Sequence, residues 1–161
     1  MREILFRGKP IVPGKYNGGS FAIGYYCCSP SGKHYIELST ASGCKNPVEV
    51  NPDTVGQYTG LTDKNGKKIF EGDIVDLFGM KGKVVQECGA FGIAFMKTID
   101  YDLLESKIPF NNNANFCFND NFISFWEVFW NYEQDDNPLY EVEAIGNVHD
   151  NPKLLEGTNG N

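Results

Sequence analysis

Residues Val50–Leu77 decide the fold class of this chain, and they read V-N-P-D-T-V-G-Q-Y-T-G-L-T-D-K-N-G-K-K-I-F-E-G-D-I-V-D-L. Short runs of β-forming residues alternate here with turn-forming glycine, asparagine, aspartate and proline. The pattern predicts two strands, Gln57–Thr62 and Lys67–Phe70, joined by the turn Asp63–Gly66. The Asn-Gly pair that ends this turn tolerates the positive φ that tight hairpins require. The stretch therefore predicts an antiparallel β structure.

The residues after this hairpin predict an antiparallel meander. Gly72 lets the backbone bend sharply, and the carboxylate of Asp73 can accept a hydrogen bond from a nearby backbone N–H. Turns are predicted at Gly79–Gly82 and Cys88–Ala90. The three strands that these turns join are Ile74–Phe78, Lys83–Glu87 and Phe91–Met96. Such short strands after a Gly-Asp pair are typical of SH3-like small barrels. The predicted fold is mainly β, with a small barrel or meander, additional hairpins and little helix.

The N-terminal part of the chain predicts a second hairpin. Arg2–Arg7 alternates polar and apolar residues, which indicates a strand. Ser20–Cys28 and Lys33–Ser39 are rich in Phe, Tyr and Ile, and the turn formers of Ser29–Gly32 separate them. Ser42–Asn51 contains a glycine and a proline and predicts a connector.

The C-terminal part predicts fewer regular elements. Thr98–Lys107 is ambiguous, although its apolar spacing allows a short helix, and the Asn-rich segment Asn111–Asn121 predicts an irregular loop. Phe122–Tyr132 fits the period of a strand and that of a helix, so both stay open, although its aromatic and β-branched content favours a strand. Tyr140–Val148 predicts another strand. Asn151-Pro152 predicts a short helical turn with the asparagine as its cap.

The length of 161 residues predicts a single domain over 1–161. Within it we distinguish an N-terminal hairpin region at 1–50, a barrel-like core at 51–97, a variable insert at 98–134, and a C-terminal strand with a short helical turn at 140–155. Twelve Phe, eight Tyr and two Trp supply large rings, so a core can form without covalent cross-links.

Cysteine usage and hydropathy predict a cytoplasmic protein. The five cysteines are odd in number, have no C-x-x-C spacing and follow no secretion signal, which predicts reduced thiols. No run approaches the ~18 apolar residues that a membrane helix needs.

The net charge of −7 is distributed unevenly along the chain. Residues 1–70 hold nine Lys or Arg against five Asp or Glu, whereas residues 71–161 hold five against sixteen. Charged residues that are spread over a solvated surface without a role in binding explain this pattern. Complementary faces that associate head to tail into a homo-oligomer, or a basic face for an acidic partner, explain it as well.

The chain has few residue patterns that serve catalysis or metal binding. It contains two histidines, His34 and His149, and no cysteine cluster, so we expect no metal and no cofactor. Neither a nucleophile elbow nor a phosphate-binding loop occurs, although the sequence leaves a Cys–His pair open. The neighbours Cys27 and Cys28 are expected on opposite faces of a strand. We therefore expect no catalytic residues and no enzymatic activity.

Two groups of residues are candidate sites. Small barrels bind single-stranded nucleic acids with aromatic and basic side chains. The residues that would do so here, or would bind another partner, are Tyr58, Lys64, Lys67, Lys68 and Phe70. The isoelectric point of about 4.8 argues against nucleic acid. The residues that would form a possible cleft are Asp73, Asn147, His149 and Asp150.

The motif T-V-G-Q-Y-T-G-L-T-D-K-N-G-K-K-I-F-E-G-D-I-V, followed near the end of the chain by E-V-E-A-I-G-N-V-H-D-N-P-K-L-L, resembles the YopX family of bacteriophage and prophage proteins. The opening R-E-I-L-F-R-G-K fits as well. The resemblance covers Arg2–Lys9, Val50–Val75 and Glu141–Leu155, and Thr98–Gln134 matches poorly. It implies a mostly β fold with a barrel-like part, encoded by phages or integrated elements. It supplies no catalytic residues.

Three functions follow from these observations. The favoured one is a non-enzymatic binding or assembly module in the bacterial cytoplasm, with an unknown protein partner or with itself as partner and no membrane association. The alternative is a nucleic-acid-binding module that uses the barrel and the Lys64–Lys68 hairpin. The third is an enzyme of unknown type acting at the possible cleft.

Overall fold

Two antiparallel sheets and two short helices make up the described part of the chain. The structure is a computed structural model, and it describes residues 3–12, 20–40, 43–107, 120–130 and 141–156. The chain divides into two compact units, Met1–Gly60 and Leu61–Asn161. The prediction of one domain with four regions stays a prediction.

The elements follow one another along the chain in this order. The strands are β1 Phe6–Gly8, β2 Ala22–Cys28, β3 His34–Thr40, β4 Gly43–Glu49, β5 Gly56–Thr62, β6 Lys68–Phe70, β7 Asp73–Leu77, β8 Met80–Glu87, β9 Ala90–Phe95, β10 Phe122–Ser124 and β11 Glu143–Asn147, and the helices are α1 Tyr101–Lys107 and α2 Phe125–Trp130. One sheet has the strand order β4-β3-β2-β1-β5-β6, and the other has the order β10-β9-β8-β7-β11. No described helix is long and apolar enough to cross a membrane.

The first unit contains the predicted β2–β3 hairpin, but the connector predicted at Ser42–Asn51 is wrong. Strand β4 pairs there with β3, with a register shift between Ile36 and Leu38. Asn46 has a positive φ of 60°. A bulge of this kind lets β4 continue its pairing with β3 past residues that cannot form regular ladder hydrogen bonds. Because β4 is an edge strand, Pro47 removes no ladder hydrogen bond that the sheet needs.

The core of the first unit lies on one face of this sheet. Ala22, Ile36 and Val50 are buried, and the partly buried rings of Phe6 and Tyr26 pack against them. The two rings lie 5.5 Å apart between centroids. Period-2 alternation along β2 therefore decides which side chains enter the core.

The second unit contains the predicted meander, β7-β8-β9, but its turns are tighter than predicted. Phe78 and Gly79 have φ of 54° and 87°, and Cys88 and Gly89 have φ of 49° and 81°. Two positive φ values in succession are typical of two-residue hairpin turns. The predicted turn at Gly79–Gly82 is therefore wrong in length, because its last three residues belong to β8.

The mainly β fold class is confirmed, whereas a barrel is not formed by the described strands. β10 and β11 lie at opposite edges of the five-stranded sheet and do not pair with each other. Within the described ranges, the expected SH3-like barrel is therefore an open meander. The core of this unit consists of buried residues from the strands and from α1, among them Val75, Leu77, Val84, Ile93, Leu104 and Ile123.

The segment Phe122–Tyr132, for which a strand was favoured, changes from strand β10 to helix α2. The switch occurs at Ser124, whose hydroxyl accepts a hydrogen bond from Glu127 N at 3.0 Å. The Glu127 carboxylate accepts one from Ser124 N at 2.8 Å in return. This capping box stabilises the start of α2 and outweighs the strand propensity of the following aromatic residues. The ambiguous segment Thr98–Lys107 forms the short helix that its spacing allows, as α1, and the Asn-rich loop at 111–119 lies outside the described residues.

The C-terminal strand and helical turn are confirmed as β11 and a 3₁₀ turn at Pro152–Leu154. Asn151 is the N-cap residue as predicted, but its side chain makes no capping hydrogen bond. Its Oδ1 accepts the backbone N–H of Asn147 at 3.3 Å instead. Gly146 permits this approach, since a Cβ there would lie 2.7 Å from that Oδ1 and 2.9 Å from Leu154 Cδ1.

Candidate functional site: a lysine-lined pocket on the second unit

A pocket of about 630 Å³ lies on the second unit, beside the start of β8 and the end of β9. Three segments bring its lining together, namely Gly79–Lys81, Phe95–Asp100 and Lys153–Glu156, in which Ile99 alone does not contribute. Backbone hydrogen bonds hold the first two segments side by side, because Met96 N donates to Lys81 O at 3.3 Å. We call this site the lysine-lined pocket.

The pocket offers apolar surface that solvent can reach. Met80, Leu154 and Leu155 are half-buried, and Met96 is 54% exposed. Methionine adapts its shape to different ligands, and exposed methionine is frequent on surfaces that bind partners. Phe95 also lines the pocket but is only 4% exposed, so its ring belongs to the core.

The charges of the lining set the pocket apart from the rest of its unit. Lys81, Lys97 and Lys153 line it, together with the carboxylates of Asp100 and Glu156, which gives a net charge of +1. Residues 71–161 contain only five lysines and no arginine against sixteen acidic residues. Three of these five lysines therefore lie in one place. Within the described ranges, no ion pair engages any of the three.

One of the two acidic groups already has a structural role. The Asp100 carboxylate accepts the backbone N–H of Leu103 at 2.9 Å, at the start of α1. A carboxylate in the first turn satisfies a helix N–H and interacts favourably with the helix dipole. The lysines are therefore the charges that remain available for a ligand.

The lysines predicted for a binding surface lie at the β5–β6 turn, and they do not form a common basic surface with aromatic rings. Lys64 forms a salt bridge with Glu143, and the hydrogen bond to this carboxylate raises the pKa of Lys64. Lys67 is exposed, and Lys68 is half-buried.

The two rings predicted for the same surface are buried. Tyr58 is 8% exposed and Phe70 is 3% exposed. A ring that stacks on a nucleic-acid base must present its face to solvent. Neither ring does so here, and the hairpin consequently lacks the stacking platforms that the nucleic-acid hypothesis requires.

A family model described as YopX protein matches residues 26–156 of the chain. The chain belongs to the YopX protein family. The match includes both longer motifs of the sequence resemblance and the region Thr98–Gln134, and it begins after the opening residues Arg2–Lys9. No curated protein matches the chain.

The aspartates of the YopX motif build turns. Asp63 is 3% exposed and its Oδ1 accepts the backbone N–H groups of Asn65 and Lys67, both at 2.9 Å. Its Oδ2 accepts Ala144 N at 3.1 Å and so connects the turn to β11. Burial alone would raise the pKa of Asp63, but these three donors and the charge of Lys67 lower it below its usual value.

The four residues of the predicted cleft lie around the β7–β11 pair, where Asn147 is in register with Asp73. The Asp73 carboxylate is 1% exposed and accepts Phe70 N at 2.8 Å, as predicted. The side chain of Asn147 accepts the N–H groups of His149 and Asp150 and donates to the Asp150 carboxylate at 3.0 Å. His149 and Asp150 are exposed in the turn. These contacts are those of turn-forming residues.

The residues of the lysine-lined pocket were missed in the sequence because they are far apart along the chain. The one feature of the sequence that could have pointed to these residues was the small number of lysines after residue 70. A sequence pattern does not reveal which of those lysines share a surface. Their proximity depends on the β8–β9 register, in which Gly82 pairs with Phe95, and on the packing of the C-terminal 3₁₀ turn.

Among the described residues, no three His, Cys, Asp or Glu side chains are grouped so that they could hold a metal.

Proposed function

We propose that this YopX protein is a non-enzymatic binding module, and that its lysine-lined pocket receives an acidic segment of a protein partner. We place it in the cytoplasm of a bacterium that carries a phage or prophage, as the family resemblance implies. The observation that supports the pocket is the collection of Lys81, Lys97 and Lys153 around exposed apolar surface in an otherwise acidic unit. Lysines that serve only to keep the surface solvated do not have to lie together in one pocket.

The chemistry of the lining defines the segment that fits. Three cations favour carboxylates, and charge complementarity directs association and selects the partner. Met96 and the two leucines favour an aliphatic or aromatic side chain between those carboxylates. The most suitable ligand is therefore a short acidic peptide with one or two large apolar residues.

A protein ligand fits better than a nucleic acid or a small metabolite. Proteins that bind single-stranded nucleic acids stack the bases on exposed aromatic rings, and the ring of Phe95 is almost completely buried. Small-molecule sites enclose most of their ligand and direct several buried polar groups at it. Here Lys81, Met96, Lys97 and Lys153 are all exposed, which suits the side chains of a larger partner.

A non-enzymatic role is supported because two side chains of the possible cleft, Asp73 and Asn147, already form the hydrogen bonds of turns. Asp73 is buried in its turn, and the amide of Asn147 organises the next turn. A catalytic acid, base or nucleophile needs a polar atom directed at a reacting group. The Asp73 carboxylate and the Asn147 side-chain oxygen accept backbone N–H groups, and the Asn147 amide N–H donates to the Asp150 carboxylate.

Fluorescence anisotropy with a labelled peptide tests the proposal. The probe is a twelve-residue peptide with glutamates on both sides of a Leu-Phe pair, and the reference probes are the same peptide with lysines for glutamates and a single-stranded oligonucleotide. The test variant combines Lys81→Glu, Lys97→Glu and Lys153→Glu. The control variant makes the same charge change outside the pocket, with Lys67→Glu, Lys83→Glu and Lys107→Glu.

The acidic peptide should bind wild type and the control variant alike, and salt should weaken the binding. Each exposed ion pair contributes about 0.5 kcal/mol, so loss of three pairs should weaken binding about tenfold in the test variant. Equal loss in both triple variants, or no loss in either, would contradict the proposal. Preferential binding of the oligonucleotide would favour the nucleic-acid alternative instead.

A second copy of the chain is another source of an acidic segment. Light scattering at low and high salt separates this case from an external partner. A dimer that dissociates with salt and is lost in the test variant would identify the chain itself as the occupant of the pocket. A monomer under all conditions would leave the external partner.

A further inference from the structure

Three side chains with acid–base or nucleophilic chemistry meet on the β2–β3 hairpin, apart from the lysine-lined pocket. Cys28 and His34 are opposite each other in the register of the two strands. Their Sγ and Nδ1 atoms lie 3.6 Å apart. Tyr26 precedes Cys28 by two residues, so its side chain extends from the same face of β2. Cys28 is exposed, and solvent therefore reaches the thiol.

Hydrogen bonds connect the three groups in series. The Cys28 thiol donates to the Tyr26 hydroxyl oxygen at 3.1 Å, and this hydroxyl contacts His34 Nδ1. The hydrogen bond with Cys28, burial and the nearby cysteines raise the pKa of Tyr26, so the phenol keeps its proton at neutral pH. With His34 in the tautomer that leaves Nδ1 unprotonated, Tyr26 is the donor to Nδ1. A proton that leaves Cys28 can reach His34 through this hydroxyl.

The neighbouring thiol lies in a contrasting environment. Cys27 points to the other face of β2, where its Sγ is 3.8 Å from the Glu37 carboxylate. Burial and this carboxylate raise the pKa of Cys27. Because the thiolate is the nucleophile, Cys27 is protected from reaction. The two adjacent cysteines thus have different partners, Glu37 for Cys27 and Tyr26 with His34 for Cys28, which the sequence alone does not distinguish.

We propose that Cys28 is a thiol-modification site that reacts with low-molecular-weight disulfides, with Tyr26 and His34 as positioning residues. In this exchange, the Cys28 sulfur attacks one sulfur of the disulfide R–S–S–R. A new Cys28–S–S–R bond forms, the original S–S bond breaks, and the leaving thiolate takes up a proton. His34 accepts the proton from Cys28 through Tyr26 and returns it to solvent, and the leaving thiolate takes its proton from water. The reagent supplies the oxidising equivalents, so the step is balanced.

Mass spectrometry of each cysteine after timed exposure to oxidised glutathione tests this proposal. Cys88 is the internal reference, because it is an exposed, free thiol in the two-residue turn between β8 and β9. We expect Cys28 to form the mixed disulfide about tenfold faster than Cys88, and Cys27 to react more slowly than both. A rate for Cys28 equal to or below that of Cys88 would overturn the proposal.

Two variants separate the positioning role from simple exposure. His34→Gln and Tyr26→Phe should each bring the rate of Cys28 to within about twofold of Cys88, while the rate of Cys88 stays unchanged. Slow reaction of Cys27 in each variant shows that the hairpin is folded. Faster reaction of Cys27 in His34→Gln would show that this variant disturbs the hairpin. The test then uses Tyr26→Phe alone, because this variant keeps the ring that packs on Phe6. A Cys28 rate that is unaffected in the folded variants would contradict the proposed relay.

Discussion

Asp63 is the residue at which the structural role of the YopX motif can be tested most sharply. Asp63→Asn keeps the size of the side chain and one oxygen acceptor, so the backbone donors of Asn65 and Lys67 keep their partner. The new amide group, however, faces the N–H of Ala144, which now meets a donor where it had a carboxylate oxygen at 3.1 Å. The change therefore breaks the connection between the turn and β11.

The magnitude follows from the bonds that are lost. A hydrogen bond to a charged group contributes about 1.5–3 kcal/mol, so we expect Asp63→Asn to lower the free energy of unfolding by about 2 kcal/mol. Asp63→Ala removes all three bonds and should cost about 3–4 kcal/mol. The further loss is limited because Asn65 and Lys67 are exposed and water can replace the carboxylate.

Urea denaturation followed by tryptophan fluorescence measures these losses in the correct unit, because both tryptophans belong to residues 61–161. Glu87→Gln is the matched control, since it removes a carboxylate at an exposed end of β8. The control should stay within about 0.5 kcal/mol of wild type. An Asp63→Asn variant as stable as the control would refute the reasoning.

The pH dependence gives an independent check on Asp63. Its pKa is lower in the folded than in the unfolded state, so its contribution is present above the unfolded value of about 3.9 and is lost as pH falls through the folded value. Wild type should therefore lose more stability than Asp63→Asn between pH 7 and pH 3. Parallel loss in both proteins would show that Asp63 does not titrate in this way.

Three further changes probe the scaffold. Gly92→Ala would place a Cβ 2.3 Å from a backbone oxygen of β10, so urea denaturation should show a loss of more than about 2 kcal/mol, and a neutral effect would contradict the β9–β10 pairing. Ser124→Ala removes the capping hydroxyl of α2 and should cost about 1 kcal/mol, and unchanged stability in urea denaturation would count against the capping box. Gly146→Ala would displace the C-terminal 3₁₀ turn, so it should weaken binding of the acidic peptide, and unchanged anisotropy would separate that turn from the pocket.

The sequence predicted the hairpins and the meander because their turns depend on local chemistry. Asn65-Gly66 and Gly72-Asp73 determine the backbone within a few residues, and the structure places turns at both. Asp73 accepts the backbone N–H that this chemistry demands. Strand β4 was missed because its pairing with β3 depends on the edge position and on an irregularity at Asn46, and neither is visible locally.

The helix α2 shows how a local signal can be outweighed by another. Aromatic and β-branched residues favoured a strand over the whole segment, whereas Ser124 and Glu127 form a capping box that starts a helix in its middle. Both signals were present in the sequence, and the spacing of Ser-x-x-Glu was the decisive one.

The candidate site was the least predictable part of the molecule. Sequence reasoning selected Tyr58 and Phe70 for their chemistry, but burial removes their rings from the surface. The lysines of the pocket come from strands and turns that are up to about seventy residues apart in the chain. Charge composition indicated only that cations are rare after residue 70, and the fold determines which of them meet.

Hydrogen–deuterium exchange with and without the acidic peptide is the most direct test of where this YopX protein binds. The account predicts slower exchange at 79–81, 96–100 and 153–156, the segments that line the pocket, and no change over the β5–β6 turn at 63–67. Protection of the turn with an unchanged pocket, at a peptide concentration that saturates the anisotropy signal, would contradict it.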